Sequence, residues 1–257
     1  MGLKLAIGGK GGVGKTTVTS LLARCIAFQN KDKKVIAVDA DPVTNLAAGL
    51  GMDESKPIVP VSELKDLIFE RTGAEPGTMG GFFTLNPKVD DIPDRFSQEK
   101  DGVKLLVMGT VQTGGSGCIC PESTMLKALM NHLVLVRDEV VVMDMEAGIE
   151  HLGRGTSGSM DGLIIVVNPG KRSRVAAEKI KKLGTDIGIK DIYVLGNRIQ
   201  SDQDKDLIKE SMKDFKILGF IPEYEEIANA DRKGVRPFDD ASSIPEEFKA
   251  IVDKLLS

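Results

Sequence analysis

The 257 residues, 41% hydrophobic and 28% charged, are enough for a large globular domain that needs no disulfide or metal to hold it together. A formal net charge of −4 excludes the basic excess that neutralises a phosphate backbone, so nucleic acid is not an expected partner. Because residues 1–4 run directly into the first predicted strand, we expect no signal peptide, and no apolar run reaches the roughly 20 residues of a membrane span. With only 3 cysteines in this length, we expect a reducing, cytoplasmic location with no membrane partner.

Short apolar runs without polar alternation recur along the chain, as expected of strands that are covered on both faces. They occupy residues 3–7, 34–38, 103–108, 140–143, 163–167, 192–195 and 217–221. Helical patterns separate most of them, at residues 16–28, 124–136, 174–187 and 204–213. This alternation predicts an α/β fold over residues 1–257, a single domain with a doubly wound, mostly parallel sheet flanked by helices.

Two segments depart from the alternation. Residues 72–101 contain several glycines and prolines with little periodicity, and we expect an irregular insertion that is either a surface excursion or functional. Residues 245–257 have apolar side chains on one side of a helical pattern and charges of both signs on the other, whereas a helix that binds membrane surfaces would be basic. We expect this last helix to pack on the body of the domain.

A glycine-rich segment directly follows the first predicted strand and precedes a helical pattern. It satisfies G-x-x-x-x-G-K-[ST] and comprises Gly9, Lys10, Gly11, Gly12, Val13, Gly14, Lys15, Thr16 and Thr17. Glycines let successive backbone N–H groups point at one anion, and the positive end of the following helix adds to the attraction. Lys15 supplies a cation for the β- and γ-phosphates, and the Thr16 hydroxyl can ligate Mg²⁺. The segment therefore predicts a nucleotide-binding phosphate loop, in which Lys10 is either a solvated charge or a second cation for the phosphates.

Acidic residues follow two of the predicted strands. Asp39 and Asp41 come after residues 34–38, and Asp144 comes after residues 140–143. In an open α/β sheet these strand ends face the ligand crevice. Asp144 has the position of the acid that helps to hold Mg²⁺ beside a phosphate loop. Because Asp39 and Asp41 alternate, we expect at most one of them to point at the phosphates, where it could orient or activate water.

The base is less well specified by the sequence. The guanine-type pattern N-K-x-D is absent, which favours adenine and hence ATP. Asn197 and Arg198 follow a predicted strand, and the Asn197 amide is a candidate for contacting the edge of the base. An asparagine that only forms a turn would give the same pattern.

Cys118 and Cys120 lie in a glycine-rich loop just before a predicted helix, whose N-terminus favours the thiolate form that binds metals. Two thiolates do not complete a tetrahedral site, and a second chain related by two-fold symmetry could supply two more. Four soft ligands suit Zn²⁺, an iron–sulfur cluster or square-planar Ni²⁺. A redox pair and two unrelated thiols are the alternatives, whereas Cys25 is expected in the core.

Several of these segments together resemble a known family. The lysine-bearing loop from Lys10 to Thr17, and Asp39-Ala40-Asp41-Pro42 with Asn45, resemble the deviant Walker A class that contains the nitrogenase iron protein, MinD, ParA and ArsA. Within this class, G-S-G-C-I-C-P at residues 115–121 and D-M-E-A-G-I-E-H-L-G-R-G-T at residues 144–156 resemble the CooC family. CooC proteins are ATPases that help to mature the nickel site of carbon monoxide dehydrogenase, and their relative AcsF serves acetyl-CoA synthase. The resemblance spans essentially the whole chain.

The resemblance implies a homodimer that encloses two ATP molecules, in which Lys10 reaches the partner's nucleotide and Asp41 lies near the attacking water. It also implies that Cys118 and Cys120 bind Ni²⁺ or Zn²⁺ at the dimer interface, and that the client is the apoprotein of carbon monoxide dehydrogenase or acetyl-CoA synthase. Asn197, Arg198 and the region of Pro222 resemble adenine-contacting segments. The resulting hypothesis is a Mg²⁺-dependent ATPase for nickel insertion.

Two other functions are compatible with the phosphate loop. An electron-transfer ATPase like the nitrogenase iron protein would bridge its subunits with an iron–sulfur cluster, but the cluster cysteines of that family are far apart in sequence, unlike Cys118 and Cys120. A positioning ATPase of the MinD or ParA kind would need a basic amphipathic tail or a basic DNA-binding face, and neither is visible in the sequence.

Overall fold

A computed structural model describes residues 2–41, 45–75, 82–109, 120–135, 138–145 and 160–256. The strands are β1 (Lys4–Gly9), β2 (Val35–Asp39), β3 (Gln98–Lys100), β4 (Val103–Val107), β5 (Val140–Asp144), β6 (Gly162–Val167), β7 (Ile192–Ile199) and β8 (Lys216–Pro222). The α-helices are α1 (Lys15–Gln29), α2 (Leu46–Leu50), α3 (Lys65–Thr72), α4 (Ile92–Arg95), α5 (Pro121–Leu135), α6 (Lys171–Asp186), α7 (Asp202–Ser211), α8 (Glu225–Lys233) and α9 (Glu246–Leu256), and short 3-10 turns cover Val61–Glu63 and Ala241–Ser243.

The strands form one sheet in the order β3-β4-β2-β5-β1-β6-β7-β8. All neighbouring strands are parallel except β3, which pairs antiparallel with β4 at the edge. The predicted α/β fold with a doubly wound, mostly parallel sheet is confirmed. Every apolar run of the sequence analysis is a strand, since a parallel sheet covered on both faces selects uninterrupted apolar segments.

Helices cover both faces of the sheet, and successive strand residues face opposite layers. In β1, Leu5 and Ile7 join the cluster under α1 and α9, whereas Ala6 joins the cluster under α5 and α6. The expected packing of the last helix on the body of the domain is seen in α9, where Phe248 and Val252 are buried. Burial of both faces leaves the two ends of the strands as the places where a ligand can approach.

The segment at residues 72–101 is more ordered than an irregular insertion. It contains α4 and the edge strand β3, and Val89 and Ile92 are buried in the core. These elements are too short to produce a periodic pattern, which is why the sequence did not reveal them. Residues 76–81 lie outside the described residues.

The central strands β2, β5, β1, β6 and β7 are consecutive neighbours that end at the same edge of the sheet. Chain connections diverge to the two sides of β1, so its carboxyl end lies at a topological switch point, where such sheets bind ligands. Within the described part of the chain, no helix is both long and apolar enough to cross a membrane.

Candidate functional site

The glycine-rich segment forms the turn between β1 and α1. Its shape depends on positive φ angles at Gly9 (150°), Gly12 (80°) and Gly14 (94°). At Gly9 a Cβ would also lie 2.6 Å from the carbonyl oxygen of Val166 in β6, so the loop starts where only glycine fits. The side chain of Val13 is buried in the hydrophobic core, which holds the turn against the sheet. The loop therefore has the backbone that a phosphate cradle requires.

The two lysines of the loop occupy different environments. Lys15 is the first residue of α1 and is only 8% exposed, so its charge lies beside the turn and the helix N-terminus. Lys10 is exposed at the tip, together with Gly11 and Gly12. Lys15 is thus buried beside the turn, whereas Lys10 is exposed to solvent at its tip.

Three predicted carboxylates meet at the carboxyl ends of β2 and β5. Asp39 and Asp144 are register partners on these adjacent strands, and Asp144 is also the register partner of Ile7 in β1. Asp39 is fully buried, and its carboxylate accepts hydrogen bonds from the backbone N–H groups of Asp41 (3.2 Å) and Leu46 (3.2 Å). Asp39 therefore holds the chain between β2 and α2, and the half-buried Asp41 is the acid left nearer to solvent.

Burial controls the acidity of this group. Loss of hydration raises the pKa of Asp39 to about 7, and nearby Asp144 adds to the rise. Burial likewise raises the pKa of Asp144 to about 6, against the lowering effects of a hydrogen bond from Thr16, the charge of Lys15 and a hydrogen bond from Thr19. Burial thus makes ionisation of both carboxyls unfavourable, and a cation beside Thr16 and Asp144 would offset that cost.

The donor set fits Mg²⁺. The Thr16 hydroxyl and the carboxylate of Asp144 are hard oxygen ligands, and Mg²⁺ usually takes few protein ligands because phosphate and water oxygens complete its octahedron. Among the residues that the structure describes, no group of three or more His, Cys, Asp or Glu side chains is arranged to hold a metal ion.

A cavity of about 200 Å³ lies beside the loop, lined by Gly14, Thr17, Asn197, Arg198, Pro222 and Tyr224 among others. The predicted base-contacting residues Asn197 and Arg198 therefore lie next to the phosphate loop. Arg198 has a left-handed backbone (φ 58°), and the pairing register of β7 with β8 changes between Gly196 and Ile199. Non-glycine residues adopt this conformation at a cost, and such positions cluster at ligand sites.

A larger cavity, of about 590 Å³, lies near the opposite end of α1. Phe28, Lys31 and Arg236 line it, and Arg236 forms an ion pair with Asp101 at 2.6 Å. None of the predicted site residues line this cavity, so size alone does not identify the functional site.

The predicted cysteine pair is described only in part. Cys120 directly precedes α5 and is 2% exposed, and its sulfur accepts a hydrogen bond from the backbone N–H of Ser123 at 3.4 Å. Cys118 and residues 146–156 lie outside the described residues. Cys25 is buried in α1, as expected, and burial raises its pKa to about 12, which makes this thiol a poor metal ligand.

The sequence analysis did not single out Thr19 or Tyr224. Thr19 is buried, and its hydroxyl lies 2.9 Å from the carbonyl oxygen of Lys15 and 3.3 Å from Oδ1 of Asp144. The sequence signal that could have indicated Thr19 is its spacing of four residues from Lys15, which places both residues on the same face of α1. Tyr224 donates its hydroxyl hydrogen bond to Glu247 at 2.8 Å, and its position in the cavity wall depends on tertiary packing that no local pattern reveals.

A parallel sheet that carries a glycine-rich loop, a lysine (Lys15) as the first residue of the following helix and an Asp144 carboxylate on the neighbouring strand defines a P-loop nucleotide hydrolase. Residues 4–238 match the CbiA family, the CobQ/CobB/MinD/ParA nucleotide binding domain, and the chain belongs to this family. It is an ATPase of the ParA and MinD type.

Relatives with similar sequences extend over the full length. The chain is 43% identical over 256 residues to the carbon monoxide dehydrogenase accessory protein CooC of Rhodospirillum rubrum, covering 99% of this chain and 96% of that protein. It is 45% identical over 257 residues to an uncharacterised ATP-binding protein of Methanocaldococcus jannaschii, covering 99% and 98% of the two chains.

Solved structures have the same fold. The ParA family ATPase of Chlorobium tepidum superposes with a TM-score of 0.70 at 18% identity, covering 100% of this chain and 98% of that one. In the MinC:MinD complex of Aquifex aeolicus, the matching chain gives a TM-score of 0.68 at 20% identity, covering 98% and 94%. At these identities the likeness concerns the fold.

Proposed function

We propose that this chain is an accessory ATPase that uses ATP to help insert nickel into the apoprotein of carbon monoxide dehydrogenase, or of the related acetyl-CoA synthase. The observation that carries the proposal is the 43% identity to CooC over nearly the full length of both chains. The presence of a phosphate loop and of C-I-C at residues 118–120 in one chain supports it, because it joins nucleotide chemistry to soft metal ligands.

In the hydrolysis step, the cradle of loop N–H groups and the buried Lys15 bind the β- and γ-phosphates. Thr16 and Asp144 would hold Mg²⁺, which supplies positive charge to the phosphate oxygens. Asp41 orients a water molecule whose oxygen forms the new bond to the γ-phosphorus, while the bond to the β–γ bridging oxygen breaks. The water gives one proton to an oxygen of the phosphate that leaves, and ADP remains. Lys15 stabilises the charge that develops on the oxygens.

A homodimer completes the nucleotide site in this proposal. Support comes from the exposure of Lys10 at the tip of the loop, in contrast to the buried Lys15, because an exposed lysine is available to the nucleotide of a second chain. Closure of two chains over two ATP molecules would add one Lys10 to each site. It would also exclude water from both sites, which strengthens the electrostatic contribution of each lysine.

The nickel ion is the cargo, held by Cys118 and Cys120 of both chains, and Zn²⁺ would bind the same thiolates. Support comes from Cys120, which directly precedes α5 and whose sulfur accepts the Ser123 N–H, so one soft ligand is held at the start of that helix. Cys120 is almost fully covered within one chain. The proposal therefore requires residues 110–119, outside the described residues, to leave an approach to this sulfur.

Hydrolysis and metal binding are coupled because both depend on one dimer geometry. Asp144 ends β5, and the N–H of the next residue, Met145, donates to the carbonyl oxygen of Ile7 at 3.1 Å, just before the phosphate loop. A nucleotide-dependent movement of the chain after Met145 would therefore begin at the phosphate site. Metal affinity and nucleotide affinity then change by the same factor.

The test is a metal-titrated dimerisation of the full chain, with and without Mg²⁺ and a non-hydrolysable ATP analogue. Bound Ni²⁺ or Zn²⁺ is measured by elemental analysis and the oligomeric state by light scattering. We expect one metal ion per two chains, since four thiolates complete a site. Cys118→Ala/Cys120→Ala should lose the metal and keep ATP binding, whereas the matched control Cys25→Ala should keep the metal. Unchanged tight Ni²⁺ and Zn²⁺ binding in the double variant would refute the metal site.

The client is tested separately. Nickel-free carbon monoxide dehydrogenase and acetyl-CoA synthase are each incubated with the chain, Ni²⁺ and MgATP, and their activities are followed. We expect activation of one enzyme that is lost in Lys15→Ala and in the double cysteine variant. Equal activation by Ni²⁺ alone would contradict the proposed function.

A further inference from the structure

The Asn197 side chain is bonded to the phosphate loop itself. Its Nδ2 donates to the carbonyl oxygen of Val13 at 2.8 Å, across 184 positions of sequence, and the residue is 8% exposed. The same nitrogen would lie 2.6 Å from a Cβ on Gly14, so the amide packs directly over the Val13–Gly14 peptide. This contact joins β7 to the turn between β1 and α1.

The chemistry of the contact fixes the orientation of the amide. A carbonyl oxygen can only accept, so the group that faces Val13 must be the NH₂ of Asn197. The remaining N–H and the carbonyl oxygen Oδ1 are left for the cavity that Asn197 lines together with Arg198 and Pro222. One side chain thus faces both the base-sized cavity and the phosphate loop.

The contact also fixes the direction of a loop N–H. The Val13–Gly14 peptide is trans, and in a planar trans peptide the C=O and N–H bonds point in opposite directions. Holding the Val13 oxygen against Asn197 therefore turns the Gly14 N–H to the other side of the peptide, away from Asn197. Gly14 accepts this geometry because its φ of 94° is available to glycine.

We propose that Asn197 is a positioning residue that couples occupancy of the base cavity to the phosphate-binding conformation of the loop. A base that engages Oδ1 of Asn197 immobilises the amide, and the amide then holds the Val13–Gly14 peptide in the orientation that binds phosphate. The inference rests on the ATPase activity of the chain and does not involve the metal. A failure of the test below therefore leaves the proposed nickel function unaffected, and a failure of the metal-binding test leaves this inference unaffected.

Two ligands that each carry one half of ATP, the phosphates or the nucleoside, distinguish coupling between the two halves of the site from simple recognition of the base. The wild type is titrated with inorganic tripolyphosphate and Mg²⁺, with and without saturating adenosine, and binding is measured by isothermal titration calorimetry. We expect adenosine to tighten tripolyphosphate binding about 3- to 10-fold, the size of one hydrogen bond, and tripolyphosphate to tighten adenosine equally. Independent binding of the two ligands to the wild type would overturn the proposal, whether or not any variant folds.

Asn197→Ser shortens the side chain beyond reach of Val13, and Ile227→Ala is the matched control in the same cavity wall. In Asn197→Ser, tripolyphosphate binding should weaken about 5- to 10-fold and the effect of adenosine should disappear. In Ile227→Ala, binding of ATP should weaken while tripolyphosphate is bound as by the wild type. If Asn197 only contacted the base, the affinity for tripolyphosphate would be unchanged in both variants. If both variants lost tripolyphosphate affinity equally, the loss would come from a general disturbance of the site. Either result contradicts the proposal.

Discussion

The hydroxyl of Thr19 lies 3.3 Å from Oδ1 of Asp144, which ties the first helix to the end of the neighbouring strand β5 one turn beyond Lys15. Both residues are buried, so neither group can exchange this contact for water without opening the site. The same hydroxyl lies closer, at 2.9 Å, to the carbonyl oxygen of Lys15. Thr19 therefore shares one proton between the helix backbone and the carboxylate that would hold Mg²⁺.

Replacement of Thr19 by valine should shift the pH dependence of MgATP binding. The Thr19 hydrogen bond lowers the pKa of Asp144, which burial has raised to about 6, so its loss raises that pKa further. Protons compete with Mg²⁺ for the carboxylate. The pH at which acidification halves MgATP binding should therefore rise by about half a unit, the effect of a weak hydrogen bond to a charged group. Titrations between pH 5 and 8 measure it.

Thr185 provides the control for this change. Its hydroxyl makes the same bond four residues back, to the carbonyl oxygen of Lys181 at 3.0 Å, but it is exposed on α6. Thr185→Val should bind MgATP with the pH profile of the wild type. If both variants shifted the pH dependence of MgATP binding equally, the shift would come from the lost hydrogen bond within each helix and not from the pKa of Asp144.

Replacement of Gly14 by alanine should destabilise the nucleotide-free protein more than replacement of Gly12. Both glycines have positive φ, but a Cβ at Gly12 meets nothing within 4 Å, whereas one at Gly14 would lie 2.6 Å from Nδ2 of Asn197. Gly12→Ala should cost about 1 kcal/mol from backbone strain alone, and Gly14→Ala about 1 kcal/mol more. Urea denaturation measures the free energies of unfolding.

A double variant isolates the Asn197 clash. In Gly14→Ala/Asn197→Ser the shorter side chain removes the obstructing nitrogen, so the loss should be smaller than the sum of the two single losses. Additive losses would mean that Asn197 does not pack against Gly14 in solution.

The sequence predicted best where one local pattern determines both structure and chemistry. The glycines of the loop need positive φ, and a strand and a helical pattern flank them, so residues 9–17 specify their own geometry. The parallel strands were equally visible, because burial on both faces forces uninterrupted apolar runs. Asp39 and Asp144 were found because strand ends in such a sheet meet at one edge.

Contacts between distant segments were not predictable in the same way. The bond from Asn197 to Val13 spans 184 positions, and the alternation of Asp39 with Asp41 gave no sign that Asp39 would hold the N–H groups of Asp41 and Leu46. Arg24 is a similar case, since a cation inside the apolar first helix has no partner in the local pattern. Such contacts depend on which strands become neighbours, which the chain order alone does not specify.

Replacement of Arg24 by methionine should destabilise the fold. Arg24 is 2% exposed and donates to the carbonyl oxygens of Pro237 (2.6 Å) and Phe238. Burial and the nearby charge of Arg236 lower its pKa, against the opposing charges of Asp101 and Asp239. Methionine fills the volume and leaves both oxygens without their donor, at a cost of about 2–3 kcal/mol. Chemical denaturation measures the loss, and ATP affinity should also fall because Phe238 packs edge-on against Tyr224 at 6.3 Å.

Arg95→Met is the exposed counterpart. The Arg95 side chain is 54% exposed and pairs with Asp91 at 2.7 Å, a surface ion pair worth about 1 kcal/mol or less. Equal destabilisation by both substitutions would contradict the assigned role of Arg24.

Replacement of Asp39 by asparagine should flatten the pH dependence of stability in the nucleotide-free, Mg²⁺-free protein. The folded carboxyl keeps its proton up to a pKa of about 7, because it is buried, whereas in the unfolded chain it ionises near pH 4. Between these values the folded state binds more protons, so this contribution to the free energy of unfolding is full below about pH 4 and is lost as the pH rises through 7. Between pH 5 and 8, Asp39→Asn should remove about 2 kcal/mol of that decline, as measured by urea denaturation at each pH. Asp202→Asn, at an exposed carboxyl whose pKa Lys205 lowers, should keep the decline of the wild type. Parallel curves for Asp39→Asn and the wild type would show that Asp39 is already ionised at pH 5, and that the cluster beside the phosphate loop is better compensated than its burial implies.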